Sequence, residues 1–392
     1  MVEVVVVSGA RTAIGTYGGA FRDVTASTLG AVAIKAALER AGVAPNMVEE
    51  VVMGCVGQVG EDAYVARTSA MGAGIPLEVP AYTVNRLCGS GLQAIGSAAQ
   101  QIMCGSADIV VAGGVEVMSR WLYFVRGARW GLRMGSGVFE DALVSTLNCP
   151  FNYYHMGVTA ENLSDSYGIT REDQDQYALE SHQKAVAAIK SGRFKEQIVP
   201  VTVPQGKAEP KVVDTDEHPR ADTNREKLAK LGPAFKKGGT VTAGNASGLN
   251  DAAAAVVLMS AAKARELGIE PKLRFVCQAA GVEPSMMGIG PAFSTPKALK
   301  QAGLRLDQMD LIEANEAFAA QALAAGRLLG LDWTKTNPNG GGVGLGHPVG
   351  ATGAILTVKL MYEMARVGGK YGLATLCIGG GQGITAIFEN LQ

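Results

Sequence analysis

Apolar strand-like runs alternate with amphipathic helical stretches along this chain, which predicts an α/β protein with a mostly parallel sheet. One of these patterns returns late in the chain, which predicts two similar halves. In the first half VEVVVVSGA reads as a strand, TLGAVAIKAALERAG as a helix and VEEVVMGCV as the next strand. PAYTV is a further short apolar run, and the helical pattern SGLQAIGSAAQ follows it across Cys88 and Gly89. The echo begins with Ala37, Leu38, Ala41, Gly42 and Val43 before Val48 and Val51. Ala298, Leu299, Ala302, Gly303 and Leu304 precede Met309 and Ile312 at a constant offset. Ser90-Gly91 and Thr352-Gly353 each open a helical pattern, and Gly113-Gly114 and Gly379-Gly380 are each expected after the strand that follows.

Between the halves the composition changes to aromatics, prolines and charges. The segment 119–248 is therefore an insertion laid over the site, with 1–118 and 249–269 forming the first half and 270–392 the second. Within it REDQDQYALESHQKAVAAIKSG is expected to be a solvated helix and no more, and Lys236-Lys237 to be surface decoration. At 392 residues the chain holds two or three compact units. A net charge of −1 with 18% charged residues does not favour a polyanion partner, so no nucleic acid is expected. No stretch reaches the roughly 20 apolar residues of a membrane span. The first residues read as a strand rather than a signal peptide. Six cysteines without paired spacing fit a reducing, cytoplasmic address.

Cys88 is the first candidate for chemistry. A strand that turns through small residues into a helix exposes the side chain at the turn. Free N–H groups and the helix dipole there stabilise a thiolate. Free cysteines are more often buried and inert, but two other glycine-rich segments carry chemical residues. GGGVGLGHPVGATG holds His347, a base or cation for a thiolate, in a loop suited to close backbone approach. LCIGGGQG holds Cys377 at a strand-to-loop junction, where a second thiol can move a proton to or from carbon. Two thiols and an imidazole, with no metal ligand cluster and no phosphate loop, suit a Claisen condensation between thioesters. Asn315, just after an apolar strand in LIEANEAFAAQ, is placed to supply a donor or orient a water.

NRLCGSG, NEAFA, GHPVGATG and CIGGGQG stand here in the order and spacing of the thiolases, and the chain resembles that family from Met1 to Gln392. The resemblance implies the thiolase fold, with mixed sheets packed in layers. HMGVTAEN, DTDEHPR and GTVTAGNASGLNDAAAAVV resemble the bacterial short-chain β-ketothiolases that supply polyhydroxyalkanoate precursors. It implies that Cys88 is the acylated nucleophile, His347 its base, and Cys377 the acid/base at the α-carbon of acetyl-CoA. His347 and a water on Asn315 would form one oxyanion hole, and the N–H groups of Cys88 and Gly379 the other. It further implies that His155, Met156 and Ser247 line the pantetheine path and that Arg220 lies near the phosphate end of CoA. Phe235 and Phe318 would wall the tunnel, and Met287 would lie at the acyl end. Acetyl-CoA, a short acyl-CoA and CoA would be substrates and products, with no cofactor and no metal, in a homotetramer of two dimers that uses WLYFVRGARWGLRMG.

The sequence departs from the family at two places. EVMSRWLYF replaces the usual ESMS followed by a small residue and proline, so Trp121 is expected to alter an oligomer contact or the pocket. Gly342 and Gly344 stand where alanines are usual, and a looser His347 loop is expected. Rival readings are a long-chain 3-ketoacyl-CoA thiolase, a decarboxylating ketoacyl synthase and a non-catalytic CoA-binding protein. The second thiol argues against the synthase, and the presence of every chemical residue argues against the non-catalytic protein.

Overall fold

In the computed structural model, which describes residues 2–281 and 284–392, the two halves arrange their strands in the same order. The first half runs β1 (Val4–Arg11), α1 (Ala26–Ala41), β2 (Glu50–Gly54), α2 (Val65–Gly72), β3 (Ala81–Val84), α3 (Ser90–Met103) and β4 (Ile109–Val117). An insertion containing α4 (Met156–Tyr167) and α5 (Arg171–Lys190) follows, and β5 (Asn250–Ser260) completes the half. The second half runs β6 (Leu273–Gly281), α6 (Gly290–Ala302), β7 (Leu311–Ala314), α7 (Ala319–Leu329), α8 (Thr352–Val367), β8 (Tyr371–Ile378) and β9 (Gln382–Asn390).

The strand order β7-β8-β9-β6-β1-β5-β4-β2-β3 makes the duplication explicit. In each half the first strand pairs antiparallel with the last, the last pairs antiparallel with the strand before it, and that strand pairs in parallel with its neighbour. The halves join through antiparallel β1 and β6, where Val5 faces Arg274. The sheet is therefore mixed and richer in antiparallel pairs, against the mostly parallel sheet expected. The reason is local in the second half. Only Gly379–Gly381 separate β8 from β9, too few residues for a crossover.

β1 and β5 are buried at every position, so their VVVV and AAAAVVLM runs read as continuous rather than alternating. Helices α3 and α8 touch strands of both halves and each other, while α1 packs on the outer face of the first half and α6 on that of the second. The central pair cross with their backbones nearly in contact. A Cβ on Gly91 would lie 2.8 Å from the Ala354 nitrogen, and one on Gly353 would lie 2.3 Å from the Leu92 nitrogen. This crossing is the physical content of the repeated Ser-Gly and Thr-Gly pairs. The other pair of glycines is not equivalent. Gly113-Gly114 lies inside β4 rather than after it, because a backbone carbonyl approaches there, with Gly350 O 2.3 Å from a Cβ on Gly114.

The insertion is pinned to the first half by a fully buried ion pair, Arg11 with Asp216 at 2.7 Å. Helix α5 begins with a Thr170–Asp173 capping box, but it is more than the solvated face expected. Gln174, Asp175, Ser181 and His182 are buried, and Ser181 on this polar edge holds the segment that carries His347, while the other three bond within the insertion. Lys236 stays on the surface, paired with Asp165. Among the described residues no helix is long and apolar enough to cross a membrane.

Candidate active site

Cys88 sits two residues before α3, directly before the N-cap Gly89. The turn that presents it is made by Leu87, whose φ of 45° lies in the left-handed region, and not by a glycine. Ser90 holds that turn closed. Its hydroxyl donates to Leu87 O at 2.6 Å and accepts from Arg86 N at 2.9 Å. The backbone N–H groups of Gly379 and of Cys88 itself face the Cys88 sulfur, yet burial outweighs them and pushes the thiol up to about 11.

His347 is buried, which brings its imidazole down to about 4. Its tautomer follows from the hydrogen bonds. Thr352 Oγ1 donates to Pro348 O at 2.9 Å, so it accepts from His347 Nδ1–H at 2.6 Å. Nε2 is left as the proton acceptor, 3.3 Å from Asn315 Nδ2. Asn250 Oδ1 accepts from the His347 backbone N–H at 2.9 Å and completes the hold. Asn315 Oδ1 is buried without a partner among the described residues, a polar atom suited to an ordered water.

The segment leading to His347 is not loose. The carboxylate of Glu316, also buried, accepts from Tyr177 Oη (3.0 Å), Ser181 Oγ (2.6 Å), Asn337 Nδ2 (2.8 Å) and Val343 N (3.1 Å). Ser181 Oγ also accepts from Gly341 N and Gly344 N. A Cβ on Gly342 would lie 2.6 Å from Glu316 O, and one on Gly344 would lie 2.5 Å from Ser181 O. The two glycines therefore seat the loop tightly against α5 and the Asn315 turn, which corrects the expectation that they loosen it.

Cys377, one residue before the end of β8, has no exposure and is pushed up well above an ordinary thiol by burial first and the Cys88 sulfur second. It packs in one apolar cluster with Met156, Met287 and Phe318. These surround a cavity of about 460 Å³ whose lining includes Cys88, His347 and Gly379 together with His155, Met156, Arg220, Phe235, Ser247, Met287 and Phe318. Asn315 and Cys377 stand behind that lining. His155 caps α4, its Nδ1 accepting from Gly157 N at 3.0 Å, and its ring stacks on Phe235 at 4.7 Å. Gly157 permits this, because a Cβ there would enter the Phe235 ring. Burial lowers His155 too, so a neutral imidazole lines the wall.

Sequence reasoning did not assign Thr352, Asn250, Glu316 or Ser181 to the site: Asn250, Glu316 and Ser181 act through hydrogen bonds between segments distant in the chain, and Thr352 acts only because the local turn folds its hydroxyl onto His347, five residues away. It also missed Glu116. This buried carboxylate at the end of β4 accepts from Val56 N, Gly57 N, Gly350 N and Trp121 Nε1, and burial pushes it up to about 7. Among the described residues no cluster of three or more His, Cys, Asp or Glu could hold a metal ion.

Residues 4–262 match the family described as thiolase, N-terminal domain, and residues 269–390 match thiolase, C-terminal domain. The chain is similar to the beta-ketothiolase BktB of Cupriavidus necator, 55% identical over 392 residues and 99% of each chain. Its fold superposes on a Bacillus anthracis acetyl-CoA acetyltransferase with a TM-score of 0.98 at 49% identity, covering 100% and 99% of the two chains. Human mitochondrial 3-ketoacyl-CoA thiolase is similarly placed, with a TM-score of 0.97 at 45% identity over 100% and 99%.

Proposed function

The chain belongs to the thiolase family, and we propose that it joins acetyl-CoA to a short acyl-CoA, and cleaves the 3-ketoacyl-CoA product, through an acyl group carried on Cys88. It is an acyl-CoA C-acyltransferase. The observation that carries the mechanism is the convergence of Cys88, His347 and Gly379 on one apolar cavity with Cys377 directly behind its wall.

The Cys88 sulfur attacks the thioester carbonyl as its proton passes to His347 Nε2. The carbonyl oxygen gains charge where the N–H groups of Gly379 and Cys88 point, and CoA leaves with the proton from His347. Because burial favours a neutral thiol and a neutral imidazole at rest, proton transfer accompanies attack. In the second half-reaction Cys377 passes its thiol proton to the now neutral His347 Nε2 and, as the thiolate, takes a proton from the α-carbon of acetyl-CoA. The enolate oxygen is stabilised from the Asn315 and His347 side. A carbon–carbon bond then forms at the acyl carbonyl as the bond to Cys88 breaks, and the released Cys88 sulfur takes the proton held on His347, which restores both thiols and the neutral imidazole. Thiolysis runs the same steps backwards. Arg220, exposed at the cavity rim, suits the phosphates of CoA. His155, Ser247 and the Phe235 and Phe318 rings suit the pantetheine arm.

The mechanism is tested by separating its two halves. Cys88→Ala is expected to abolish both acyl-enzyme formation and thiolysis, by about 10³-fold or more. Cys377→Ala is expected to retain acylation of Cys88 by acetyl-CoA, detected by intact-protein mass, while thiolysis of acetoacetyl-CoA falls by a similar factor. Equal loss of acylation in both variants would sink the division of labour. A role in storage-polymer precursor synthesis, a cytoplasmic address and a tetramer belong to the same proposal, supported by the likeness to a beta-ketothiolase and by the exposed apolar surface of the insertion.

A further inference from the structure

Trp121 stands at the boundary between two cavities. The site cavity of about 460 Å³ and a neighbouring one of about 270 Å³ share Val56, Trp121 and Thr146 as a common wall. On the far side the smaller cavity is edged by Glu61, Asp62 and Arg120, with Arg120 paired to Glu61 at 3.4 Å. The indole is fixed rather than free to swing. Its Nε1–H donates to Glu116 Oε1 at 3.0 Å. Its edge lies so close to Gly57 that a Cβ there would come within 2.2 Å of Nε1. Glu116 is itself immobilised by three backbone N–H groups, so the ring is anchored to a rigid point.

Cys88 and Trp121 pack against the same apolar cluster of Val56, Met118, Leu143 and Val349, which is separate from the cluster around Cys377. An acyl tail carried on the Cys88 sulfur, with its carbonyl toward Gly379 N–H, therefore has this cluster as an apolar surface to run along toward Trp121. We infer that Trp121 is the specificity-determining end wall of the acyl pocket, limiting the group on Cys88 to short acyl chains and closing off the second cavity. The inference rests on the acyl-transfer reading above and adds to it the residue that sets the substrate class. A smaller side chain at 121 joins the two spaces and admits longer, straight acyl groups.

The test compares kcat/KM for CoA-dependent thiolysis of acetoacetyl-CoA, 3-ketohexanoyl-CoA and 3-ketooctanoyl-CoA in the wild type, Trp121→Phe, Trp121→Leu and Trp121→Ala. The ratio for the octanoyl over the acetoacetyl compound is expected to rise at least about ten-fold in Trp121→Ala, since a methylene fitted or refused in an apolar pocket is worth that much. A smaller rise is expected in Trp121→Leu. No change is expected in Trp121→Phe, which drops the N–H but keeps a ring in place. If the alanine variant fails to fold, the leucine variant carries the test. An unmoved ratio in folded leucine and alanine variants that still cleave acetoacetyl-CoA overturns the inference alone. So does a rise produced by Met287→Ala and by no variant at 121, which places the tail on the opposite wall. A wild-type protein inert toward every member overturns the acyl-transfer reading and this inference with it.

Discussion

Thr352 shows how a single hydroxyl prepares the chemistry. It fixes His347 with the proton on Nδ1, so that Nε2 is available to a thiol. Without that bond only the longer contact from Asn315 Nδ2, 3.3 Å from Nε2, is left to favour this tautomer. Thr352→Val is expected to lower kcat by about 10- to 100-fold, with KM for CoA unchanged, because no binding surface is removed. A kcat equal to that of the wild type would show that the tautomer is held in another way. The pH dependence follows from burial. Holding the imidazole at about 4 keeps Nε2 unprotonated well below neutrality, and protonation on acidification removes the base. The acid limb of kcat/KM is therefore expected near pH 4 rather than near the ~6.5 of a solvated histidine. A limb close to 6.5 in the pH profile would contradict the burial argument.

At the level of elements, the His347 loop is a buried chain segment clamped between α5 and the turn after β7. Its position is set by Glu316 and Ser181, which lie far apart in sequence and share one hydrogen bond of 2.6 Å. The glycines at 342 and 344 allow this closeness. Gly342→Ala places a methyl group within 2.6 Å of a backbone oxygen that has little room to retreat. It is expected to destabilise the fold by about 1–3 kcal/mol and to lower kcat with it, as measured by denaturant unfolding and steady-state thiolysis. Unchanged stability would mean that the loop has slack. The same contact explains why α5, strongly charged in sequence, cannot be a purely solvated helix. One edge of it completes the support of the site.

For the molecule as a whole, the exposed apolar residues of the insertion are its least satisfied surface. Trp130 is 88% exposed, Met134 99%, Phe139 76% and Tyr153 87%, the pattern of an interface rather than of a free surface. Light scattering is expected to find a tetramer at working concentration. Replacing Trp130, Met134 and Phe139 together by Asp is expected to halve the assembly while leaving each active site intact, since none of the three lines the cavity. A wild-type monomer would defeat the reading. The duplicated sheet has its own consequence at this scale. Cys88 comes from the first half and His347 and Cys377 from the second, and α3 and α8 cross at Gly91 and Gly353 to bring the two sets together. The site therefore forms only when both halves have packed.

The sequence by itself determined the α/β class, the two similar halves and which residues are the candidates for chemistry, because those are written locally. Apolar runs mark strands, and Cys88, His347 and Cys377 stand out as reactive side chains among glycines. Sheet direction was not legible, since whether a strand returns by a short turn or a long crossover depends on which neighbour it finds in space. Nor were Thr352, Asn250, Glu316, Ser181 and Glu116, ordinary polar residues whose roles arise when folding brings one donor to one acceptor, for Thr352 across a local turn and for the others between separate segments. Trp121 lies between these cases. Its departure from the family was visible, but only the tertiary structure set its ring against Gly57 and Glu116, between two cavities. Burial did the remaining work, because the protonation states of the site follow from how completely water is excluded, and that is a property of the packed molecule rather than of any one segment.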